Sequence, residues 1–276
     1  VEQRTDPGGP LRRLLQRRGD GVRNGIGATV AGGDEGPGRL PEPAIIAELC
    51  HRMIEGYRGP LTGVRVVVTA GGTREPVDPV RVMTNRSSGH QGHALAEVAA
   101  RMGASVTLIT TASRPLALDV ARHLDVVRVA TASEMLDAVR SRAGQADVVI
   151  MAAAVADFTF EAAPHKLKKE NGVPVLAPVP TTDIVMDLTH HRHHGQVVVG
   201  FAAETFDVEA QAQAKLRRKG VDLLVVNDVS APEVGFEHAT NDVTLLTPDG
   251  GSEHVSLRSK EEVAMAILTK VSSLRR

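Results

Sequence analysis

The stretch "VRVVVTAGG", residues 64 to 72, decides the fold. Its β-branched residues run on without the polar alternation of a half-exposed strand. It therefore reads as a strand buried on both faces, the kind found in parallel sheets covered by helices. The glycines Gly71 and Gly72 mark the strand's end, where a backbone can approach a phosphate closely. The G-x-G-x-x-G spacing of a dinucleotide fingerprint is incomplete, so NAD(P) gains little support from them.

Outward from this strand the same pattern repeats. "SVTLIT" (105–110), "LDVVRVA" (124–130), "ADVVIMAAAVAD" (146–157), "QVVVGFAAET" (196–205) and "VDLLVVND" (221–228) read as further strands. Between them, "HALAEVAARMG", "SEMLDAVRSRA" with Ser133 as N-cap, and "VEAQAQAKLRRKG" read as helices. Strands alternating with helices imply an α/β fold, Rossmann-like and doubly wound around a mainly parallel sheet. The end changes character. "NDVTLLTPDGGSEHVSL" reads as an antiparallel hairpin, and "SKEEVAMAILTKVSSL" as a closing helix capped by Ser259. "AGGTREPVDPVRVMTNRSSGHQG" (70–92) reads as one long polar loop.

Composition limits the function classes. Of 276 residues, 42% are hydrophobic but only 2% aromatic, so the core is aliphatic. Single-stranded nucleic acid needs exposed rings to stack on, and one Tyr with no Trp supplies few. A net charge of -1 also speaks against general binding of nucleic-acid backbones. One cysteine, Cys50, excludes an internal disulfide and a cysteine zinc cluster. No apolar run approaches about 18 residues and no signal peptide opens the chain, so the expectation is a cytoplasmic protein without a membrane span.

Residues 1–62 differ from the rest. Positions 1 to 30 hold six Arg and six Gly without a clear period, which favours a poorly packed segment. "PAIIAELCHRMIEG" (43–56) reads as a helix, and "GYRGPLTG" (56–63) as a linker.

Ligands of an open parallel sheet bind beyond the carboxyl ends of its strands. Four loops there carry unusual polar residues. "NRSSGHQG" leads directly into a helix, so Ser87, Ser88 and Gly89 are either an anion cradle or an ordinary capped turn. "MAAAVADFTFEAAPHKLKKE" (151–170) leaves an apolar strand at Asp157, then places Lys166, Lys168 and Lys169 within four positions. The acid is functional or a turn cap. The lysines are a solvated loop or a lid bracketed by Pro164 and Gly172. "PTTDIV" (180–185) and "GFAAET" complete the set, with Phe201 either core or a ring against a base. Lys215 and Lys219 lie one turn apart, as a phosphate clamp or a solvated face. "HHRHH" (190–194) suggests a metal, but no acid or cysteine is patterned around it and adjacent residues converge poorly; a polar turn explains it.

In this order, "VTAGGTREPVDPVR", "NRSSGHQG", "AAAVADF", "KLKK", "VVGFAAET", "AKLRRKGVDLLVVND" and "SKEEVA" resemble phosphopantothenate–cysteine ligase, the carboxyl-terminal half of the bacterial bifunctional coenzyme A biosynthesis protein. The resemblance runs from about Gly63 to Ser273, giving a ligase domain at 63–276. "GGDEGPGRLPEP" (32–43) resembles the end of the flavin-dependent decarboxylase half, so 1–62 is expected to be its remnant plus a linker. Gly32 or Gly33 stands where that half usually has cysteine. Neither FMN nor decarboxylase activity is expected.

The resemblance implies CTP-dependent joining of 4′-phosphopantothenate to L-cysteine through an acyl-cytidylate, with Mg²⁺ bound mainly through phosphates. It implies that Asn85 and Lys166 act on the acyl intermediate, Lys166 as the first lysine of K-x-K-K. It places Ala153, Asp157, Thr182, Asp183, Ile184, Val185 and Phe201 around cytidine, and Lys215 and Lys219 on the triphosphate. It also implies a homodimer formed through the late hairpin. One departure is His90, where many relatives carry Lys after "SSG". An NAD(P)-dependent reductase and a non-catalytic nucleotide sensor are the competing classes.

Overall fold

A computed structural model describes residues 59–121, 124–172, 174–204, 208–228 and 238–275. These residues belong to one compact unit, Gly56–Arg276. The readings placed on residues 1–58, including the helix at 43–56 and Cys50, lie outside the described residues.

The opening stretch forms β1, Arg65–Ala70, and five of its six residues are buried. It pairs in parallel with β4 (Ser105–Thr110) on one side, from Arg65 against Ser105 to Ala70 against Thr110. On its other side lies β6 (Val148–Met151), also parallel, from Val66 against Val148 to Thr69 against Met151. The sheet continues through β5 (Leu124–Arg128), β9 (Val197–Glu204) and β10 (Leu223–Asp228). The late hairpin, β11 (Thr240–Leu246) and β12 (Ser252–Ser259), adds two antiparallel strands. The order across the eight-stranded sheet is β12-β11-β10-β9-β6-β1-β4-β5.

Alternate residues of β1 supply the two faces, as the period of two requires. Val66, Val68 and Ala70 join a core with helices α1 (His90–Arg101) and α5 (Lys260–Leu274). Val67 joins a second core beneath α2 (Ala132–Ala143), α3 (Ile184–His191) and α4 (Val208–Lys219). The doubly wound expectation therefore holds, and the buried side chains are aliphatic on both faces. Among the described residues no helix is long and apolar enough to cross a membrane.

The differences from the sequence reading lie in the loops and caps. The segment 70–92 is not one loop: β2 (Arg74–Pro76) and β3 (Val82–Thr84) form a small antiparallel hairpin within it. A second hairpin, β7 (Phe158–Phe160) with β8 (Pro178–Pro180), frames the lysine segment. Thr131, not Ser133, caps α2; its hydroxyl accepts from the Glu134 N–H, while the Glu134 carboxylate accepts from the Ala130 N–H. Ser259 does cap α5, with the reciprocal Glu262 bond of a capping box.

Helix α1 lies hard against β1. A Cβ added at Gly92 would stand 2.5 Å from the Ala70 Cβ and 2.8 Å from the Thr69 carbonyl oxygen. Both neighbours belong to a buried strand that cannot give way. Gly92→Ala is therefore expected to destabilise the domain by about 1–3 kcal/mol through overpacking, read from the shift in a urea unfolding curve.

Candidate active site

From β1 the chain winds outward through β4 and β5, then returns to place β6 on the opposite side of β1. The crevice between the carboxyl ends of β1 and β6 is the topological switch point, where such sheets bind ligands. Here the two main chains touch. The Ala154 N–H donates to the Gly71 carbonyl (2.9 Å) and the Thr73 N–H to the Ala154 carbonyl (3.3 Å). Two fully buried hydroxyls pin the exit of β6: Thr69 Oγ1 accepts from the Ala153 N–H (3.1 Å) and Thr73 Oγ1 from the Ala156 N–H (2.9 Å). The turn that allows this needs glycine. Gly71 has φ +89°, and a Cβ there would stand 2.2 Å from Thr111 Oγ1.

The loop Ser87–Gly89 enters α1 beside this contact. Gly89 occupies the N-cap position with φ +74°, and it offers no side-chain cap. The His90 N–H turns to Ser88 Oγ (3.4 Å), which leaves the Gln91 and Gly92 N–H groups to an anion at the positive end of the helix dipole. They border a cavity of about 130 Å³ lined by residues 87–92, Ala153, Phe201, Asn227, Asn241 and Lys260. Lys260 is buried, and burial, with Arg114 nearby, pulls its ammonium below the usual lysine range. Asn241, 1% exposed, donates to Asn227 Oδ1 (3.0 Å) and Gln91 Oε1 (3.3 Å). Its own Oδ1 has no partner among the described residues.

The sequence-predicted residues divide into groups. Ala153 and Phe201 line the cavity together. Asn85, just past β3, donates its side-chain N–H to the carbonyls of Ala154 and Val155 (3.3 Å each), so it borders the same crevice. Asp157 is exposed at the exit of β6, and its carbonyl accepts from the Thr181 N–H (2.9 Å). Asp183 caps α3, accepting from the Met186 N–H (3.2 Å), and pairs with Lys219 at the end of α4. Burial pushes the Asp183 carboxyl up, but Lys219 and the Met186 N–H bring it below the usual range. Thr182 lies in a neighbouring groove with Glu75 and Thr131. The Ile184 side chain is buried in the second core, with Val185 packed against it. Lys166, Lys168 and Lys169 are exposed, and Lys215 is half-buried on α4.

Lys219, the second of the two α4 lysines, is engaged with Asp183. His90 also has a partner, because Arg114 donates to its Nε2 (3.1 Å). Burial first, then Arg114, lowers the pKa of that ring below the usual histidine range. Of the histidine run, His190 and His191 end α3, and His193 Nε2–H donates to the Ala146 carbonyl (2.9 Å). Sequence reasoning missed Gln91, Asn241 and Lys260. Gln91 and Lys260 lie within the quoted motifs "NRSSGHQG" and "SKEEVA", but nothing local shows that these two and Asn241 meet at one wall.

Helix amides, a buried lysine, a floor of small residues and one aromatic ring thus meet at the switch point of an open α/β sheet, where an anionic ligand can be held. Residues 61–274 match the family described as the DNA/pantothenate metabolism flavoprotein C-terminal domain. The chain belongs to that family. It is 43% identical over 248 residues to the coenzyme A biosynthesis bifunctional protein CoaBC of Bacillus subtilis, covering 89% of this chain and 60% of that protein. The chain thus spans about three fifths of the length of that curated relative. A crystal structure of the C-terminal domain of a CoaBC protein superposes with a TM-score of 0.66 at 38% identity, covering 78% of this chain and 97% of that one. A structure described as a Cab2 mutant in complex with phosphopantothenate-cysteine shares the fold, with a TM-score of 0.62 at 18% identity, over 85% of this chain and 96% of that one.

One titration follows from the α1 packing. His93, 1% exposed, meets the Gly89 carbonyl through Nδ1 (3.0 Å), so in the neutral ring Nδ1 carries the proton. Burial lowers its pKa, outweighing that hydrogen bond. The unfolded chain takes up this proton as pH falls through about 6.5 while the folded chain resists it, so stability is lost below that pH. Between pH 7.5 and 5.5 the urea midpoint of the wild type is expected to fall further than that of His93→Gln.

Proposed function

We propose that the chain joins 4′-phosphopantothenate to L-cysteine at the expense of CTP, as a homodimer in the cytoplasm. Residues 63–276 form the ligase domain, and residues 1–62 are a remnant of the decarboxylase half with its linker. Family membership supports the reaction class, as does the complex named for the related Cab2 structure. The single observation that carries the reading is the crevice itself. Ala153 and Phe201 line one small cavity against the N-terminus of α1, and Asn85 is tied beside it through the carbonyl of Ala154, another lining residue.

The chemistry asks for this arrangement. A carboxylate resists an amine because its oxygen is a poor leaving group. Transfer of CMP to the carboxylate, with loss of pyrophosphate, converts that oxygen into a good one. The cysteine amine then displaces CMP from the acyl-cytidylate. Negative charge grows on the phosphates in the first step and on the tetrahedral oxygen in the second, so fixed amides and cations lower both barriers.

In this reading the α1 amides and Lys260 face phosphate oxygens, and the ring of Phe201 with Ala153 bounds cytidine. Asp157, Thr182 and Asp183, with the main chain at Ile184 and Val185, lie along the same ligand. Lys215 reaches phosphate; Lys219 does so only by sharing its charge with Asp183. Asn85 has its Oδ1 open toward the acyl group, and Lys166 comes down on the intermediate. Mg²⁺ binds mainly through phosphate oxygens, and the exposed Asp157 is an oxygen donor of suitable hardness. The dimer uses the late hairpin, whose outer strand β12 exposes Leu257 at the sheet edge.

The test is purified protein with 4′-phosphopantothenate, L-cysteine, Mg²⁺ and CTP, followed by pyrophosphate release. Release that requires CTP is expected; none at all defeats the assignment and leaves the reductase and sensor classes standing. ATP serving equally well would defeat the nucleotide choice alone. Lys166→Gln should still release pyrophosphate in its first turnover, while transfer to cysteine drops by about 100-fold. Wild-type turnover in that variant would mean Lys166 is only a solvated charge.

A further inference from the structure

The lysine segment is exposed, yet it is tied down at two points. The Ala163 N–H donates to the Val77 carbonyl (3.0 Å). Four residues on, Leu167 is held twice: its N–H donates to Asp78 Oδ2 (3.1 Å), and its carbonyl accepts from Arg81 Nη2 (2.6 Å). Asp78 and Arg81 are themselves locked together. Arg81 donates through Nε (2.9 Å) and Nη2 (2.5 Å) to Asp78 Oδ2, and Asp78 Oδ1 accepts from the Val80 and Arg81 N–H groups (2.8 Å each).

This arrangement is unlike an incidental surface bridge. Asp78 is 4% exposed, and a carboxylate is costly to bury unless its oxygens are satisfied. Here donors from two segments of the chain satisfy them. The Arg81 guanidinium first, then the backbone N–H groups of Val80, Leu167 and Arg81, hold the carboxyl well below the usual carboxylate range against the effect of burial. One ion pair thus grips both polar groups of a single peptide residue, which fixes that residue's place and the direction of the chain through it. Leu167 is half-buried, while Lys166 and Lys168 on either side are exposed. The Lys166 Cα is one trans peptide, about 3.8 Å, from the fixed point.

We propose that Asp78 is a positioning residue: through Arg81 and the Leu167 peptide it latches the lysine segment and so sets where Lys166 meets the reacting acyl group. The proposal rests on the ligase reading for its consequence, but not for its geometry. The carboxylate of Asp78 is taken up by Arg81 and by the N–H groups of Val80, Arg81 and Leu167. Its effect reaches the chemistry only through the main chain of the segment that carries Lys166. The hairpin β2–β3 is therefore more than a decoration of the crevice, because its turn supplies the latch.

The experiment uses the full chain with Asp78→Asn, which keeps the shape but removes the charge. Leu167→Pro is the second variant; it deletes the N–H from the other side and leaves the Asp78 turn intact. Brief trypsin digestion is followed by mass at the bonds after Lys168 and Lys169, and in Asp78→Asn also after Lys166, since trypsin does not cut before proline. Loss of charge-assisted bonds is expected to speed those cleavages about 10- to 100-fold, since cleavage tracks local opening. In single turnover, pyrophosphate release should stay within about threefold while transfer to cysteine falls about 10-fold or more. Unchanged cleavage in both variants overturns the latch. Faster cleavage with unchanged transfer, or an equal loss in both half-reactions, overturns the positioning role. If the wild type releases no pyrophosphate, the ligase reading fails, and the cleavage rates still decide whether the latch exists.

Discussion

The site depends on one constraint: the main chains of β1 and β6 must touch just beyond their last paired residues. Parallel strands normally diverge into loops at this end. Here Gly71, Gly72 and Ala154 bring the two exits into hydrogen-bonding contact, and the crevice floor becomes backbone rather than side chain. Every neighbouring feature fits that approach. Gly89 must stay small because a Cβ would stand 2.9 Å from Ala112 Cβ and 3.1 Å from the Gly71 nitrogen. Gly92 lets α1 settle on Ala70. Thr69 and Thr73 use buried hydroxyls to satisfy amides that the contact leaves unpaired. A binding surface of small residues and exposed amides is the result, and it suits a ligand with phosphates and a flat base.

How far the sequence revealed this follows the same physics. The strands were legible because a strand buried on both faces is apolar throughout, and such runs stand out from polar loops. The hairpins β2–β3 and β7–β8 were not. Val82–Thr84 is exposed along its length, and β8 is Pro-Val-Pro, a composition that argues against a strand. The α2 cap was legible but misread: Thr131 and Glu134 stand at capping-box spacing, a stronger signal than Ser133 alone. The cavity wall formed by Gln91, Asn241 and Lys260 had no local signature, since it exists only once α1, β11 and α5 have packed together. Loop motifs thus pointed to the ligand side of the crevice, while its far wall was a product of tertiary structure.

The acids of the site illustrate a related division. Asp183 and Asp78 are each paired with a cation, and each also accepts backbone amides. Their negative charge is already committed within the protein, so it opposes an anionic ligand less than a free carboxylate would. Glu75 behaves similarly. It is 2% exposed, and its carboxylate accepts from the Ala132 N–H at the start of α2, the positive end of that helix. The lysine segment adds exposed positive charges, while Asp157 stays an exposed acid at the exit of β6.

Rigid and movable parts are thereby joined without being merged. The floor cannot shift, because glycine contacts and buried threonines hold it on both sides. The lysine segment, by contrast, is tied at Val77, Asp78 and Arg81 by peptide and ion-pair contacts. Such contacts break and re-form at modest cost when water can replace them, whereas a packed core does not. The proposed ligase reaction would need a cover held in this manner, to admit two substrates, exclude water during acyl transfer and release product. The polar latch at Leu167 thus reconciles exposed lysines with an ordered approach to the crevice.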